Sequence, residues 1–165
     1  MSKAFTKDDD AAPPPVVPRR APLPPGQPNY VTARGLAQLR AELARLRAEH
    51  GGAPSADAPL DAARLARLAE LEERVSTAEL VPKASPAPPE ARFGARVTVR
   101  TAAGAEHVYS IVGVDEARAS EGLIAFVAPL ARALLGKRAG DSALVRTPHG
   151  EDELEVVRVS YDAND

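Results

Sequence analysis

His50, His107 and His149 carry the side chain best suited to proton transfer and metal ligation near neutral pH. They fall in three separate segments, without the i, i+4 spacing that sets two imidazoles on one helical face, so exposed loop or strand histidines are expected. Ser110, Ser120 and Ser142 have neither a glycine-flanked elbow nor an adjacent base, so no serine nucleophile is expected. Gly51-Gly52 lacks the following Lys and Ser or Thr that would hold phosphate and metal, and it reads as a turn. The chain has no cysteine, which excludes disulfides, thiolate nucleophiles and thiolate metal sites and fits a reducing compartment. No independent hydrolase is expected.

The structural elements follow from periodicity. Leu36, Leu39, Leu43 and Leu46 lie on one helical stripe behind Thr32, a side chain suited to cap a helix N-terminus. A helix over 33–49 is expected, about 25 Å long at 1.5 Å per residue, stopping at Gly51 and Gly52. A second stripe begins near Leu60 with Leu65, Leu68, Leu71 and Val75, and Ala78 continues the seam. Two amphipathic helices joined by a Gly/Pro turn bury their leucines most economically against each other, which predicts an antiparallel hairpin.

Pro82, Pro86, Pro88 and Pro89 end the second helix and mark a linker over 82–90. Beyond it the apolar period falls to two. Val97 and Val99 alternate with polar neighbours, Ala103-Gly104 makes a turn, and Val108 to Val112 returns, which is a strand hairpin. Leu123 to Val127 reads as a third strand. Pro129 opens a short helix through Leu135 that Gly136 closes. Ala143 to Thr147 and Leu154 to Tyr161 supply two more strands around Pro148-His149-Gly150, with Val157, Val159 and Tyr161 on one face. The fold class is α+β: a helical hairpin over 30–81, then an antiparallel sheet with one short helix over 91–161 and a short tail, 162–165.

Composition bounds the rest. With 165 residues, three Phe, three Tyr and no Trp, any core must be built from Leu, Val and Ala. Many of the sixteen prolines cluster before residue 29, where an acidic trio, Asp8 to Asp10, also lies; residues 1–29 read as a disordered, polyproline-like arm. A net charge of −2, from 21 basic and 23 acidic residues mixed along the chain, disfavours an autonomous duplex binder. No run of eighteen apolar residues occurs and no signal-peptide core precedes the fold, so no membrane partner is expected and the cytoplasm is the expected location.

Several separated motifs then share one likeness. Phe93-Gly94-Ala95, the run Ile111 to Ala117 and the stretch APLARALLGKRAGD from Ala128 to Asp141 resemble the Gre transcription elongation factors in order. Asn29-Tyr30-Val31-Thr32 with Gly35-Leu36, leading into Leu39, Glu42, Leu43 and Leu46, looks like the start of that family's coiled coil, so the likeness spans about residues 29–161.

The resemblance implies a coiled-coil hairpin that enters the secondary channel of RNA polymerase while an FKBP-like C-terminal domain grips the channel rim. It places the rim contacts on Phe126, Val127, Pro129 and Ala131, with Arg132 as a polar contact. The chain would be no enzyme itself and at most stimulate the polymerase's own RNA cleavage. It would act as a monomer, with no cofactor of its own beyond sharing the Mg²⁺ of the polymerase active centre, and would meet nascent RNA or DNA only indirectly, which is the extent of any DNA-binding character.

There are two departures from the family pattern. Ala128 stands where relatives commonly have Ser, ahead of the Pro at the first helical position, so a capping oxygen is missing. The hairpin tip, Gly51 to Asp61, lacks the Asp and Glu three apart of cleavage-stimulating members, carboxylates needed there to hold a second Mg²⁺. The helices also look one to two turns shorter, about 5 to 10 Å of reach. Asp57 and Asp61 are the candidate Mg-directed pair; the alternative makes Asp57 a turn residue and Asp61 a helix N-terminal acid. A second reading is a short-hairpin relative that competes with cleavage factors for the polymerase without stimulating hydrolysis. From another class comes a peptidyl-prolyl isomerase, for which Phe93, Tyr109, Phe126 and Tyr161 are the available aromatics.

Overall fold

A computed structural model describes residues 21–51, 58–147 and 150–161. Strand β1, Asn29–Val31, runs into helix α1, Ala33–His50; helix α2, Ala58–Ser76, returns and continues into strand β2, Ala78–Leu80. Thr32 caps α1 as its position predicted: its hydroxyl accepts the Gly35 N–H at 3.0 Å. The two leucine stripes meet. Leu39, Leu43 and Leu71 are buried with Val31, and Leu36, Leu46, Leu68, Val75 and Ala78 pack around them. Leu71 is fully buried, worth about 1.5–3 kcal/mol relative to exposure. Arg67 reaches Glu42 and Arg47 reaches Glu72, each at 2.8 Å, tying the helices together along their solvated sides.

The base of the hairpin holds a piece that periodicity did not show. Ala78 does not continue the helical seam; it opens β2, which pairs parallel to β1 in a two-stranded sheet. Asn29 explains why the helix stops there. Its buried amide donates to the Arg74 carbonyl at 2.9 Å and to Thr77 Oγ1 at 3.1 Å, satisfying acceptors that the end of α2 leaves open. Two residues upstream of β1 also contact the fold: Leu23 packs against the larger core, and the Ala21 carbonyl accepts the Arg74 guanidinium at 2.7 Å. A buried arginine thus engages a backbone carbonyl from the segment upstream of β1.

The remaining strands are β3, Arg96–Thr101; β4, Glu106–Val112; β5, Leu123–Ala125; β6, Ser142–Thr147; and β7, Gly150–Ser160, with helix α3, Pro129–Leu134, between β5 and β6. They form one sheet in the order β5-β4-β3-β7-β6. Four of the strands are antiparallel as expected, but β5 lies parallel to β4, so the sheet is mixed. A strand's period shows which face is buried but not its direction, and the chain returns to β4's edge through two short 3₁₀ turns, Val114–Glu116 and Ala119–Glu121.

The core of this domain is Val97, Val99, Ile111, Ile124, Phe126, Ala131, Leu134, Val145, Leu154 and Val156, with the smaller Ala91, Ala95 and Ala143 between them. Val157 does not share the inner face with Val159 and Tyr161. The register of β7 against β3 shifts between Thr98 and Val99, where Val97 opposes Val159 but Val99 opposes Val156, and the bulge puts Val157 out of phase. Gly136 follows α3 with φ +81°, the left-handed conformation foreseen for it. The first residues of the domain are fastened to its last strand by Tyr161, whose hydroxyl accepts the Arg92 N–H at 2.9 Å and donates to the Glu90 carbonyl at 2.6 Å. The Arg92 guanidinium, and then that of Arg138, hold the Glu90 carboxyl below the ordinary carboxylate range.

Candidate functional site: a helical prong fixed to an exposed helix start

The segment after β5 carries the residues that the resemblance assigns to docking, and the structure sorts them by direction. Pro129 and Arg132 are exposed on α3, and Val127 is half-buried beside them. Phe126 and Ala131 point the other way. Phe126 is 9% exposed and Ala131 fully buried, so in this structure both are core residues that position the outward three. Periodicity explains the split, since Ala131 and Leu134 share the inner face of α3 while Pro129 and Arg132 share the outer one. Ala128 makes no side-chain hydrogen bond at the helix start; its carbonyl still accepts the Arg132 N–H at 2.9 Å.

Phe126 also joins this segment to the hairpin. Its ring lies 5.4 Å from Tyr30 and 5.7 Å from Phe93, and Tyr30 and Phe93 are 5.8 Å apart. Tyr30 belongs to β1, at the root of α1. Three aromatic rings therefore form one contact between the prong and the surface beside Pro129, of the tilted and edge-on kind that adds about 0.5–1.5 kcal/mol per pair.

A polar joint stands beside the aromatic one. The buried Glu116 carboxylate accepts the Thr32 N–H at 3.1 Å, the Thr32 hydroxyl, and the Gly113 N–H at 3.3 Å. Arg74, in the last turn of α2, lies 3.6 Å from Asp115, with both side chains nearly excluded from solvent. Arg74 is thus shared between Asp115 of the sheet domain and the Ala21 carbonyl. Two glycines permit the approach. A Cβ on Gly35 would fall 2.1 Å from Glu116 Cδ, and one on Gly113 would fall 2.5 Å from the Tyr30 carbonyl oxygen. Sequence reasoning missed Arg74, Asp115 and Glu116 as joint residues. The available signal was Gly113 at the end of an apolar strand run, a place where glycine marks close backbone approach.

The other end of the prong is only partly visible. Asp57 lies outside the described residues. Asp61 sits in the first turn of α2, half-buried, with Arg64 at 3.7 Å, the setting of a helix N-terminal acid. Among the described residues no group of three His, Cys, Asp or Glu side chains could hold a metal ion. His107 is exposed and stacks on Tyr109, the ring centroids 6.2 Å apart; the other two histidine side chains lie outside the described atoms. The four aromatics considered for an isomerase pocket do not share one cavity: Phe93 and Phe126 pack together with Tyr30, Tyr109 is with His107, and the Tyr161 hydroxyl is committed to backbone. Among the described residues no helix is long and apolar enough to cross a membrane.

A two-helix prong is thus joined to a small sheet domain through Tyr30, Thr32 and Arg74, with an exposed helix start beside the joint. Residues 86–161 match the family described as "Transcription elongation factor, GreA/GreB, C-term". The chain is 39% identical to the transcription elongation factor GreA of Alkalilimnicola ehrlichii over 153 residues, covering 79% of this chain and 96% of the relative. It is 38% identical to the GreA of Halorhodospira halophila over 154 residues, covering 80% and 97%. Among solved structures it is similar to GreA factor homolog 1 of Thermus thermophilus, with 23% identity, a TM-score of 0.39, and coverage of 81% of this chain and 99% of that one. The GreA/GreB factor of Nitrosomonas europaea gives 22% identity and a TM-score of 0.42, with coverage of 80% and 98%. The chain belongs to the GreA/GreB family of transcription elongation factors.

Proposed function

We propose that this chain binds RNA polymerase at the rim of its secondary channel through Val127, Pro129 and Arg132, and modulates elongation by placing its helical prong in that channel. The supporting observation is the coupling of those exposed residues to the root of the prong through Phe126 and Tyr30. Docking at the rim then fixes the prong's direction without further ordering, which limits the entropic cost of binding. The chain is no enzyme on this reading, and any hydrolysis of RNA belongs to the polymerase.

A factor that occupies the channel without stimulating cleavage fits the tip best. Asp61 is engaged by Arg64 and lies in the helix itself. The 153 positions aligned with the Alkalilimnicola relative exceed 79% of a 165-residue chain, so that relative carries residues in the aligned span that this chain lacks. The first observation supports a tip without a presented carboxylate pair, and the second a chain more compact than that relative within the aligned span.

The test uses purified RNA polymerase and stalled, backtracked elongation complexes with Mg²⁺. The full chain is expected to be retained by the polymerase, and Pro129→Asp with Arg132→Glu to abolish retention. The complexes should show no shortened RNA with this chain alone, and slower cleavage by an added cleavage-competent GreA. Robust cleavage that disappears in Asp57→Ala or Asp61→Ala would overturn the occupancy reading; undiminished retention of the Pro129 and Arg132 variant would overturn the docking surface.

A further inference from the structure

Between the root of α1, the segment leaving β2 and the sheet edge lies a cleft of about 210 Å³. Its floor is apolar, with Leu80, Phe93 and Leu123 among the lining residues, and Leu80 is half exposed there. Arg34, Lys83 and Arg96 also line it, each exposed, and none of the three has a carboxylate partner among the described residues. The one carboxylate in the lining is Glu116, already committed to Thr32 and Gly113. A greasy floor under three unneutralised cations is complementary to an anionic group that also carries apolar surface.

Size and backbone decide what kind. Pockets that enclose a whole cofactor-sized ligand run to roughly 300–1,000 Å³, so this cleft suits a single anchoring side chain better than a nucleotide. Among the described residues strand β2 pairs only with β1, in a two-stranded sheet, which leaves its outer side for an added strand. Strand addition provides main-chain hydrogen bonds and leaves specificity to pockets for the side chains.

We propose that this cleft receives an extended acidic segment of RNA polymerase, one apolar side chain seated on Leu80, Phe93 and Leu123 and the flanking carboxylates placed among Arg34, Lys83 and Arg96. This inference rests on the reading of the chain as a polymerase-binding factor, and it adds a second contact at the root of the prong, separate from Pro129 and Arg132.

Two measurements with the full chain test it. In the first, a labelled short peptide in which Asp and Glu flank a central Leu is titrated against the wild-type chain and against Arg34→Glu/Lys83→Glu/Arg96→Glu. Affinity should fall by about tenfold or more in the reversed variant, by less in the matching Gln variant, and similarly when the peptide's Leu is replaced by Ser. Equal binding by both chains overturns the proposal, with an unchanged circular dichroism spectrum and melting temperature showing that the variant is folded. In the second, polymerase retention is compared. Weaker retention of the charge-reversed chain supports the proposal; full retention overturns it while leaving the polymerase reading intact. Failure of the wild-type chain to be retained sinks that reading and the named occupant together. Tighter peptide binding by Asp8→Asn/Asp9→Asn/Asp10→Asn would make the chain's own acidic trio the occupant and overturn the polymerase source.

Discussion

Glu116, from the 3₁₀ turn after β4, holds the N-cap residue of α1: its carboxylate takes both the backbone N–H and the hydroxyl of Thr32, 84 residues away in sequence. Thr32 meanwhile accepts the Gly35 N–H, so the start of the prong is capped by a residue that is itself gripped by the sheet domain. Helix capping and domain attachment are one hydrogen-bond network here. A change in it should alter the direction of the prong as well as the stability of α1.

The buried pair beside it should show the asymmetry typical of desolvated charges. Arg74 and Asp115 are 9% and 2% exposed at the side chain, so removing one partner strands the other in a poorly solvated place. Arg74→Met or Asp115→Leu is expected to cost about 3–5 kcal/mol, while the double substitution should cost much less than the sum. Urea unfolding of the four chains in a double-mutant cycle checks this. Additive losses would mean that the two charges do not act on each other.

The two close-approach glycines should differ in severity. A Cβ at Gly113 meets the Tyr30 backbone oxygen, which can move only if β1 moves, whereas a Cβ at Gly35 meets the Glu116 side chain. Gly35→Ala also gains up to about 1 kcal/mol of helix propensity, which offsets part of the lost contacts. Gly35→Ala therefore loses part of the buried Glu116 network with a partial offset from propensity, and Gly113→Ala, which has no such offset, is expected to be the more destabilising, by about 1–3 kcal/mol. Thermal melts rank them, and small-angle scattering reads whether the prong has swung. The reverse ranking would count against the joint as described.

What the sequence made legible was whatever repeats along it. The leucines of α1 and α2 announced a hairpin, Thr32 its start, and Val97 and Val99 a half-buried strand, because each pattern recurs within a few residues. Three-residue strands such as β1, β2 and β5 are too short to show a period, which is why Ala78 read as helix and the direction of β5 was missed. The resemblance implies a docking segment but not its faces; packing sets the Phe126 ring against Tyr30 and Phe93 and buries Ala131, while Pro129 and Arg132 stay exposed. Arg74 lies in α2 and Asp115 and Glu116 in the 3₁₀ turn after β4, elements brought together only by the fold, so Gly113 could mark a close approach without naming its partners.

The missing cap at Ala128 gives a prediction of gain. The residue already has the extended backbone of an N-cap, φ −67° and ψ 148°, and Pro129 follows at the first helical position. Only the side-chain oxygen is lacking. Ala128→Ser should stabilise the chain by about 0.5–2 kcal/mol and raise its melting temperature by several degrees. Unchanged melting would show that the helix start is held by its packing alone. Polymerase retention should not weaken, since the added hydroxyl faces the helix's own N–H groups.

Tyr161 should give the chain an alkaline limit. Burial raises its phenol above the usual value of about 10, with the Arg92 N–H and charge pulling in the opposite direction. The folded chain therefore keeps a proton that the unfolded chain releases first. The stabilisation is fully present below the unfolded pKa and is lost as pH rises through the folded one. Tyr161→Phe keeps the ring but leaves the Arg92 N–H and the Glu90 carbonyl without their partner, an expected cost of about 1–3 kcal/mol at neutral pH. It should also flatten the fall in urea midpoint above about pH 10 and remove one tyrosinate transition from the absorbance titration. If the variant falls as steeply as the wild type, another group sets the limit, and the clasp between the domain's first residues and its last strand is not what fails in alkali.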